Sequence, residues 1–115
     1  MRKDEYEIQK ALVKYLKLQY PSVLFLGTQN GVHKSVQAAA KAKASGMQKG
    51  IPDLLVLTPN TRYFGLALEV KTKTGVLSKE QKEWLASLNA IGWYAVSAKG
   101  FDNCKNIIDD YCKDM

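Results

Sequence analysis

The sequence has few of the residues that build disulfide scaffolds or histidine-based sites. It contains two cysteines and one histidine in 115 residues. Cys104 and Cys112 have no metal-ligand spacing, and on one helix they would lie ~12 Å apart along its axis, too far to form a disulfide. We therefore expect reduced thiols. Because His33 is the only histidine, mechanisms that need several histidines are excluded.

Long apolar runs are also missing. No stretch of 18 apolar residues occurs, so no membrane-spanning helix is predicted. The first residues lead into a charged helical pattern and not into the apolar segment of a signal peptide. With 46% hydrophobic and 24% charged residues, the composition is typical of a globular protein. We expect one soluble domain over residues 1–115, located in the cytoplasm and bacterial or phage-encoded.

Acidic residues are absent from Ile8 to Pro52, although the whole chain has eleven. The same stretch carries seven of the lysines, at positions 10, 14, 17, 34, 41, 43 and 49. A long block of one charge attracts polyanions through phosphate contacts and counterion release. The alternative is solvated surface lysine that serves solubility. The length of the block favours a nucleic-acid partner.

Periodicity and turn residues predict an αβαββαβα order, which is an α/β fold with a mixed central sheet flanked by helices. The predicted helices are Asp4–Tyr20, Ser35–Ser45, Ser78–Ile91 and Asp102–Cys112. The predicted strands are Val23–Leu26, which we expect to be buried, Leu54–Leu57, Tyr63–Lys71 and Trp93–Ser97. The second and third strands are expected to form a hairpin at the sheet centre. Trp84, Leu85, Leu88 and Ile91 should form a core stripe.

The third strand separates an apolar face from a polar one, because side chains alternate along a strand. Phe64, Leu66, Leu68 and Val70 share the face expected in the core. The other face ends in Glu69 and Lys71, ~7 Å apart. Pairing with the preceding strand would bring Asp53 close to Glu69.

Two neighbouring carboxylates repel each other, and their burial is costly unless a cation neutralises them. Mg²⁺ bound by oxygen ligands would do so and would leave positions for water and phosphate. A phosphate-cleaving site is therefore one interpretation of Asp53, Glu69 and Lys71. The other is an exposed cross-strand charge pair, since a second Glu-x-Lys at Glu80–Lys82 falls in a predicted helix and needs no chemistry.

Several segments, in order, resemble a known nuclease family. Gly50–Leu55 followed by Leu68–Lys71 is similar to the PD-(D/E)xK nuclease signature. With Glu5–Gln9, Asn30, Gly31, Lys34, Gly46–Asp53 and Leu77–Gln81, the chain more narrowly resembles the stand-alone VRR-NUC nucleases of phages and bacteria. The resemblance extends from about Glu5 to Ala98.

This resemblance implies a restriction-endonuclease-like core and phosphodiester hydrolysis dependent on Mg²⁺ or Mn²⁺. Asp53, Glu69 and the backbone carbonyl of Val70 match metal-ligand positions, and Lys71 matches the catalytic lysine. The family also uses a first-helix glutamate. The alignment on Gln9 and the helical wheel favour Glu5 over Glu7, although either could simply complement the helix dipole.

Gln81 has two interpretations. Ser78–Gln81 fits a helix capping box, whereas the resemblance places a functional glutamine near the metal. The expected phosphate contacts are Asn30, Lys34, Lys41, Lys43, Lys49 and Lys73.

The resemblance further implies a homodimer that resolves branched DNA such as Holliday junctions. The alternatives are a non-catalytic nucleic-acid-binding module on the same fold, or a subunit that acts only with a partner.

Overall fold

The computed structural model describes residues 3–28 and 35–115 and contains four helices and four strands in those ranges. In chain order they are α1 (Lys3–Gln19), β1 (Phe25–Gly27), α2 (Val36–Ala44), β2 (Leu54–Val56), β3 (Leu66–Lys71), α3 (Lys79–Ala90), β4 (Tyr94–Lys99) and α4 (Phe101–Cys112). The predicted αβαββαβα order is confirmed. No helix of the described ranges is long and apolar enough to cross a membrane.

The four strands form one mixed sheet in the order β1-β2-β3-β4. β2 pairs antiparallel with both β1 and β3, whereas β3 pairs parallel with β4. A parallel pair needs a crossover connection, and α3 provides it. The predicted hairpin of β2 and β3 is confirmed, and these strands occupy the sheet centre.

The hydrophobic core lies between one face of the sheet and helices α1 and α4. Leu66, Leu68 and Val70 point into it from β3, as their alternation predicted. Leu12 and Leu16, one helical turn apart on α1, are fully buried against them. Truncation of such a leucine to alanine lowers the free energy of unfolding by about 2–5 kcal/mol. Packing on this face therefore stabilises the sheet, including the residues on its opposite face.

Tyrosines tie α1 to α4 above this core. The hydroxyls of Tyr15 and Tyr20 both donate to Oδ1 of Asp109, at 2.5 and 2.6 Å. Tyr15 also meets Phe101 edge to face. Tyr15 therefore packs between the two helices.

The prediction that Phe64 belongs to the core is wrong. β3 begins at Leu66, and the Phe64 side chain is 68% exposed. Its ring covers Gly92, where a Cβ atom would lie only 2.6 Å from the ring. The β3–β4 ladder begins at the pair Leu66–Tyr94, and Phe64 instead donates its backbone N–H to the Gly92 carbonyl at 3.0 Å, in the turn before β4.

The stripe predicted on α3 is only half-buried. Trp84, Leu85 and Leu88 are partly covered, but Ile91 lies beyond the helix end and is 64% exposed. This helix packs over the second face of the sheet, where Gly65, Ala67 and Ala95 leave a shallow surface. Small residues there give α3 no deep groove to fill.

The first strand is an edge strand and not the buried strand that was expected. Leu24 and Leu26 are both exposed, because β1 has a partner on only one side. Cys104 and Cys112, in contrast, are free thiols in the core, as predicted. Burial raises the pKa of Cys104 to about 12 and that of Cys112 to about 11, which keeps both protonated.

Candidate active site

Two carboxylates meet on the second face of the sheet, at the ends of neighbouring strands. Leu54 pairs with Leu68, so Asp53, just before β2, lies opposite Glu69. Both residues are buried, with 3% and 2% of their surface exposed. The predicted proximity is confirmed, and the interpretation as an exposed charge pair is wrong because the burial is nearly complete.

Asp53 is held through both its side chain and its main chain. Its Oδ2 accepts the backbone N–H of Val70 at 2.8 Å. Its carbonyl accepts the backbone N–H of Thr28 at 2.9 Å and Nε2 of Gln9 at 3.3 Å. Together these bonds connect Asp53 to β3, to Thr28 at the end of β1 and to α1. The position of its carboxylate therefore depends on the folded sheet.

Glu69 has two polar partners on one oxygen and none on the other. Its Oε2 accepts Nε2 of Gln81 at 3.1 Å and lies 3.7 Å from Nζ of Lys71. Its Oε1 is buried and has no hydrogen-bond partner among the described residues. A buried carboxylate oxygen without a partner is costly, so the site offers a free acceptor for a cation or a proton.

Gln81 makes a contact expected under each of the two interpretations of it: it closes the capping box and it also reaches Glu69. Its side-chain Oε1 accepts the backbone N–H of Ser78 at 2.8 Å. The backbone N–H of Gln81 donates to Oγ of Ser78 at 3.1 Å, which completes the capping box. The side-chain nitrogen of Gln81, Nε2, donates to Glu69. The start of α3 therefore orients the Glu69 carboxylate.

Burial dominates the electrostatics of the carboxylate pair. It raises the pKa of Glu69, and the Asp53 carboxylate raises it further, to about 9, against the opposing effect of Lys71. Burial also raises the pKa of Asp53, while the neighbouring Glu69 carboxyl and the hydrogen bond from the Val70 N–H oppose this increase. Burial and mutual repulsion therefore disfavour ionisation of both carboxyl groups at once, and Lys71 offsets this only in part.

The structure separates the two first-helix glutamates. Glu5 is buried in the first turn of α1, whereas Glu7 is exposed. A Cβ atom added at Gly75 would lie 3.3 Å from Oε2 of Glu5 and 3.2 Å from Cδ of Lys71, so the Glu5 carboxylate and the lysine stem converge there. Glu5 also raises the pKa of both Asp53 and Glu69. The preference for Glu5 thus agrees with its position.

The donor set suits a hard divalent cation. It consists of carboxylate oxygens, one of them buried without a partner, as Mg²⁺ and Mn²⁺ prefer. Within residues 3–28 and 35–115, no three His, Cys, Asp or Glu side chains form a ready-made cluster. A site based on Asp53 and Glu69 would therefore need a further oxygen from the Val70 carbonyl, from a shift of Glu5, or from water and phosphate.

The predicted phosphate contacts are spread around this centre. Lys41 and Lys43 are exposed on α2, and Lys73 is exposed in the turn after β3. Lys49 reaches Oε1 of Glu80 at 3.7 Å, which places it beside the start of α3. Asn30 and Lys34, like His33, lie outside the described residues.

One supporting residue was not expected from the sequence. Thr28 holds the Pro52–Asp53 segment, since its Oγ1 donates to the Pro52 carbonyl at 2.7 Å and its N–H donates to that of Asp53. No local pattern marks a threonine after an edge strand, so only the pairing of β1 with β2 reveals it.

Comparison with known proteins agrees with this fold. The family described as the VRR-NUC domain matches residues 3–102. A solved structure named "VRR_NUC domain protein" is 28% identical in sequence, with a TM-score of 0.78 over 95% of this chain and 88% of that chain. None of the curated proteins matches.

The fold and the site thus define a nuclease-type domain. Because the match covers most of its length, the chain belongs to the VRR-NUC family.

Proposed function

We propose that the protein is an endonuclease that hydrolyses phosphodiester bonds of DNA with Mg²⁺ or Mn²⁺. The observation that carries this proposal is the buried pair of Asp53 and Glu69, with Lys71 beside it and one Glu69 oxygen free of partners. A purely structural role would leave two repelling carboxylates buried at a cost in stability. Membership of a nuclease family supports the same conclusion.

The residues take different roles in this proposal. Asp53 and Glu69 would hold the ion, with Glu5 and the backbone carbonyl of Val70 as further oxygen donors. When bound, the ion supplies charge stabilisation at the attacked phosphate and lowers the pKa of a water molecule. Gln81 keeps the Glu69 carboxylate oriented through the 3.1 Å hydrogen bond.

Lys71 is placed to act on the phosphate or on the attacking water. Its ammonium group is 3.7 Å from Glu69 and its side chain is only 10% exposed. A cation in this half-enclosed position stabilises negative charge more strongly than one in open water. The proposed role of Lys71 is therefore orientation and electrostatic stabilisation, and its pairing with Glu69 fixes where that charge acts.

DNA is the proposed substrate because of the charge around the site. The chain carries a formal net charge of +6, and exposed lysines lie on α2, before β2 and after β3. We extend the proposal to branched DNA cut by a homodimer, with one site for each of two opposing strands. The small size of the chain supports this extension, since one such domain has little surface to hold a branched substrate.

Cleavage assays on defined substrates test the proposal. Labelled four-way-junction, flap and linear duplex DNA would be incubated with the protein in Mg²⁺, Mn²⁺ or EDTA. Asp53→Asn is the test variant, and Asp102→Asn, an exposed aspartate on α4, is the matched control. We expect metal-dependent cleavage that is lost in the first variant and retained in the second.

The pattern of products separates the finer points. Symmetric cuts in the junction, together with a dimer in sedimentation, would support the resolvase-like activity. Cleavage of flaps or linear duplex by a monomer would contradict the branched substrate and the homodimer but retain the nuclease. Binding without cleavage in either metal would contradict the nuclease and favour a binding module or a partner-dependent subunit.

A further inference from the structure

A groove of about 790 Å³ opens beside Lys71. Its walls come from the loop between β3 and α3, from the last residues of β4 and from the outer side of α4. Asp53 and Glu69 do not line the groove, but Lys71 does, so the groove adjoins the site described above. Lys71 belongs to both, which makes the two continuous.

The strand register explains why the groove begins where the active site ends. In the parallel pairing of β3 with β4, Lys71 lies opposite Lys99 and Glu69 opposite Ser97. Residues paired in this way project on the same face, with their strands about 4.8 Å apart. Lys99 therefore extends the row of charged side chains from the site towards the edge of the sheet.

The groove carries an excess of positive charge. Lys71, Lys82 and Lys99 line it, against one carboxylate, that of Asp110. Asp110 is itself 3.9 Å from Nζ of Lys113. Within the described residues, neither Lys82 nor Lys99 takes part in a salt bridge. Both side chains are exposed and free to meet an anion.

The remaining lining suits a sugar–phosphate chain better than a small anion. Asn106 adds an exposed amide, and Val76, 79% exposed, adds an apolar surface at the rim. Phosphates need cations and N–H donors, whereas the sugars between them tolerate apolar contact.

We propose that this groove holds the DNA strand on one side of the cleaved phosphate, with Lys99 and Lys82 contacting successive backbone phosphates. The inference rests on the proposed function, since Lys71 must lie at the phosphate that is cut. It adds Lys82 and Lys99 to the DNA-binding surface. It also directs the strand from the carboxylate pair across the end of β4 towards α4.

Salt-dependent binding tests the groove directly. The test protein is Lys82→Gln with Lys99→Gln, and the control is Lys79→Gln with Arg62→Gln, which removes the same charge from exposed positions outside the groove. Affinity for labelled four-way-junction and duplex DNA would be measured by fluorescence anisotropy in EDTA, over a range of salt concentrations. A third protein, with arginine at positions 82 and 99, restores the charge.

Each lost phosphate contact lowers the slope of log affinity against log salt by about 0.9. We expect the groove variant to lose about 1.8 from the slope and to bind on the order of tenfold more weakly, while the control and the arginine protein behave like the wild type. Thermal unfolding of every protein would verify that the charge changes leave the fold intact.

Equal slopes for the groove and control variants would overturn the inference and leave the nuclease proposal standing. A change of oligomeric state in the groove variant, with its DNA slope unaltered, would also overturn it and identify the groove as an interface between copies. If the wild-type protein neither binds nor cuts DNA with Mg²⁺ or Mn²⁺ present, the proposed function fails and the inference fails with it.

Discussion

The chain contains the same Glu-x-Lys pattern twice, and its two copies behave in opposite ways. On β3, Glu69 and Lys71 share one face and are buried. On α3, residues two apart point to different sides of the helix. There Glu80 pairs with Lys49 while Lys82 faces the groove.

The pKa values of the two glutamates are shifted in opposite directions. Burial and Asp53 raise the pKa of Glu69 to about 9. A backbone N–H of its own residue, and then Lys49, lower the pKa of Glu80 below its ordinary value. The same two residue types therefore form a buried charged pair in one place and a solvated helix start in the other. Burial and the period of the secondary structure determine which.

The largest expected difference concerns cleavage after removal of each carboxylate. Glu69→Gln should reduce the rate of DNA cleavage in Mg²⁺ by about 10²- to 10³-fold, because it removes a group that holds the charge-stabilising ion. Glu80→Gln should leave the initial rate within about twofold, since exposed ion pairs contribute little. Comparable losses in both variants would mean that the buried pair has no special role.

We expect Lys71 to affect mainly the rate of cleavage and Lys82 to affect mainly the affinity for DNA. Lys71→Ala should slow cleavage by about 10²-fold with a smaller change in DNA affinity, because the lysine acts at the phosphate that is cut. Lys82→Ala should weaken DNA binding and leave the maximal rate at saturating DNA close to that of the wild type. Single-turnover kinetics at several DNA concentrations measures both quantities, and the reverse division would contradict the assignment.

Gln81 is the middle residue of the second Glu-x-Lys copy and donates a hydrogen bond to Glu69 of the first. Its loss should have a moderate effect on both stability and cleavage. Gln81→Ala removes one half of the capping box and the hydrogen bond to Glu69. We expect a loss of about 0.5–2 kcal/mol in the free energy of unfolding and a fall in cleavage of about tenfold. The matched variant Ser78→Ala removes the cap hydroxyl alone. If both variants lowered cleavage equally, the bond from Gln81 to Glu69 would have no separate role.

The smallest effects concern stability against pH in the absence of metal. The folded-state pKa of Glu69 is raised, so the folded protein holds a proton that the unfolded chain releases. The free energy of unfolding should therefore fall as pH rises from 4.5, the ordinary pKa of a glutamate, to about 9, the pKa of Glu69 in the folded protein. Glu69→Gln should remove this fall and raise the melting temperature in EDTA by a few degrees at pH 8, but not at pH 4.

Glu80 should show the opposite sign. Its pKa is lowered in the folded state, so its stabilising effect is present above its ordinary pKa and is lost as pH falls. Glu80→Gln should thus leave the melting temperature unchanged or slightly lower at pH 8. Melting curves of the two variants over this pH range check both signs, and parallel curves would show that Glu69 is not perturbed.

The sequence alone predicts much of this site because strand parity and hairpin pairing are local rules. Alternation along β3 placed Glu69 and Lys71 together, and the hairpin placed Asp53 opposite Glu69. The two interpretations of Gln81 could both be stated, although only the geometry shows that one amide satisfies both. Thr28 could not be anticipated, because its contact depends on the pairing of distant strands.

The errors have a common physical cause. Each concerns a residue just beyond the end of a strand or helix, where the regular pattern of the sequence continues but the structure does not. Phe64 continues the alternation of β3 but lies before the first pair of the β3–β4 ladder, and Ile91 continues the stripe of α3 but lies beyond the helix end. The groove was hidden for a related reason. It depends on Lys71 lying opposite Lys99, a parallel register that no local pattern specifies.

Binding of Mn²⁺ is the most direct test that the buried carboxylates form a metal site. Titration calorimetry at pH 7 would compare the wild type, Glu69→Gln and the exposed control Asp102→Asn, without DNA. We expect the wild type and the control to bind Mn²⁺ alike, with release of a proton from the carboxylate pair, and Glu69→Gln to bind at least about tenfold more weakly. Equal affinity in all three proteins would contradict the assignment of Glu69 and Asp53 as the metal centre.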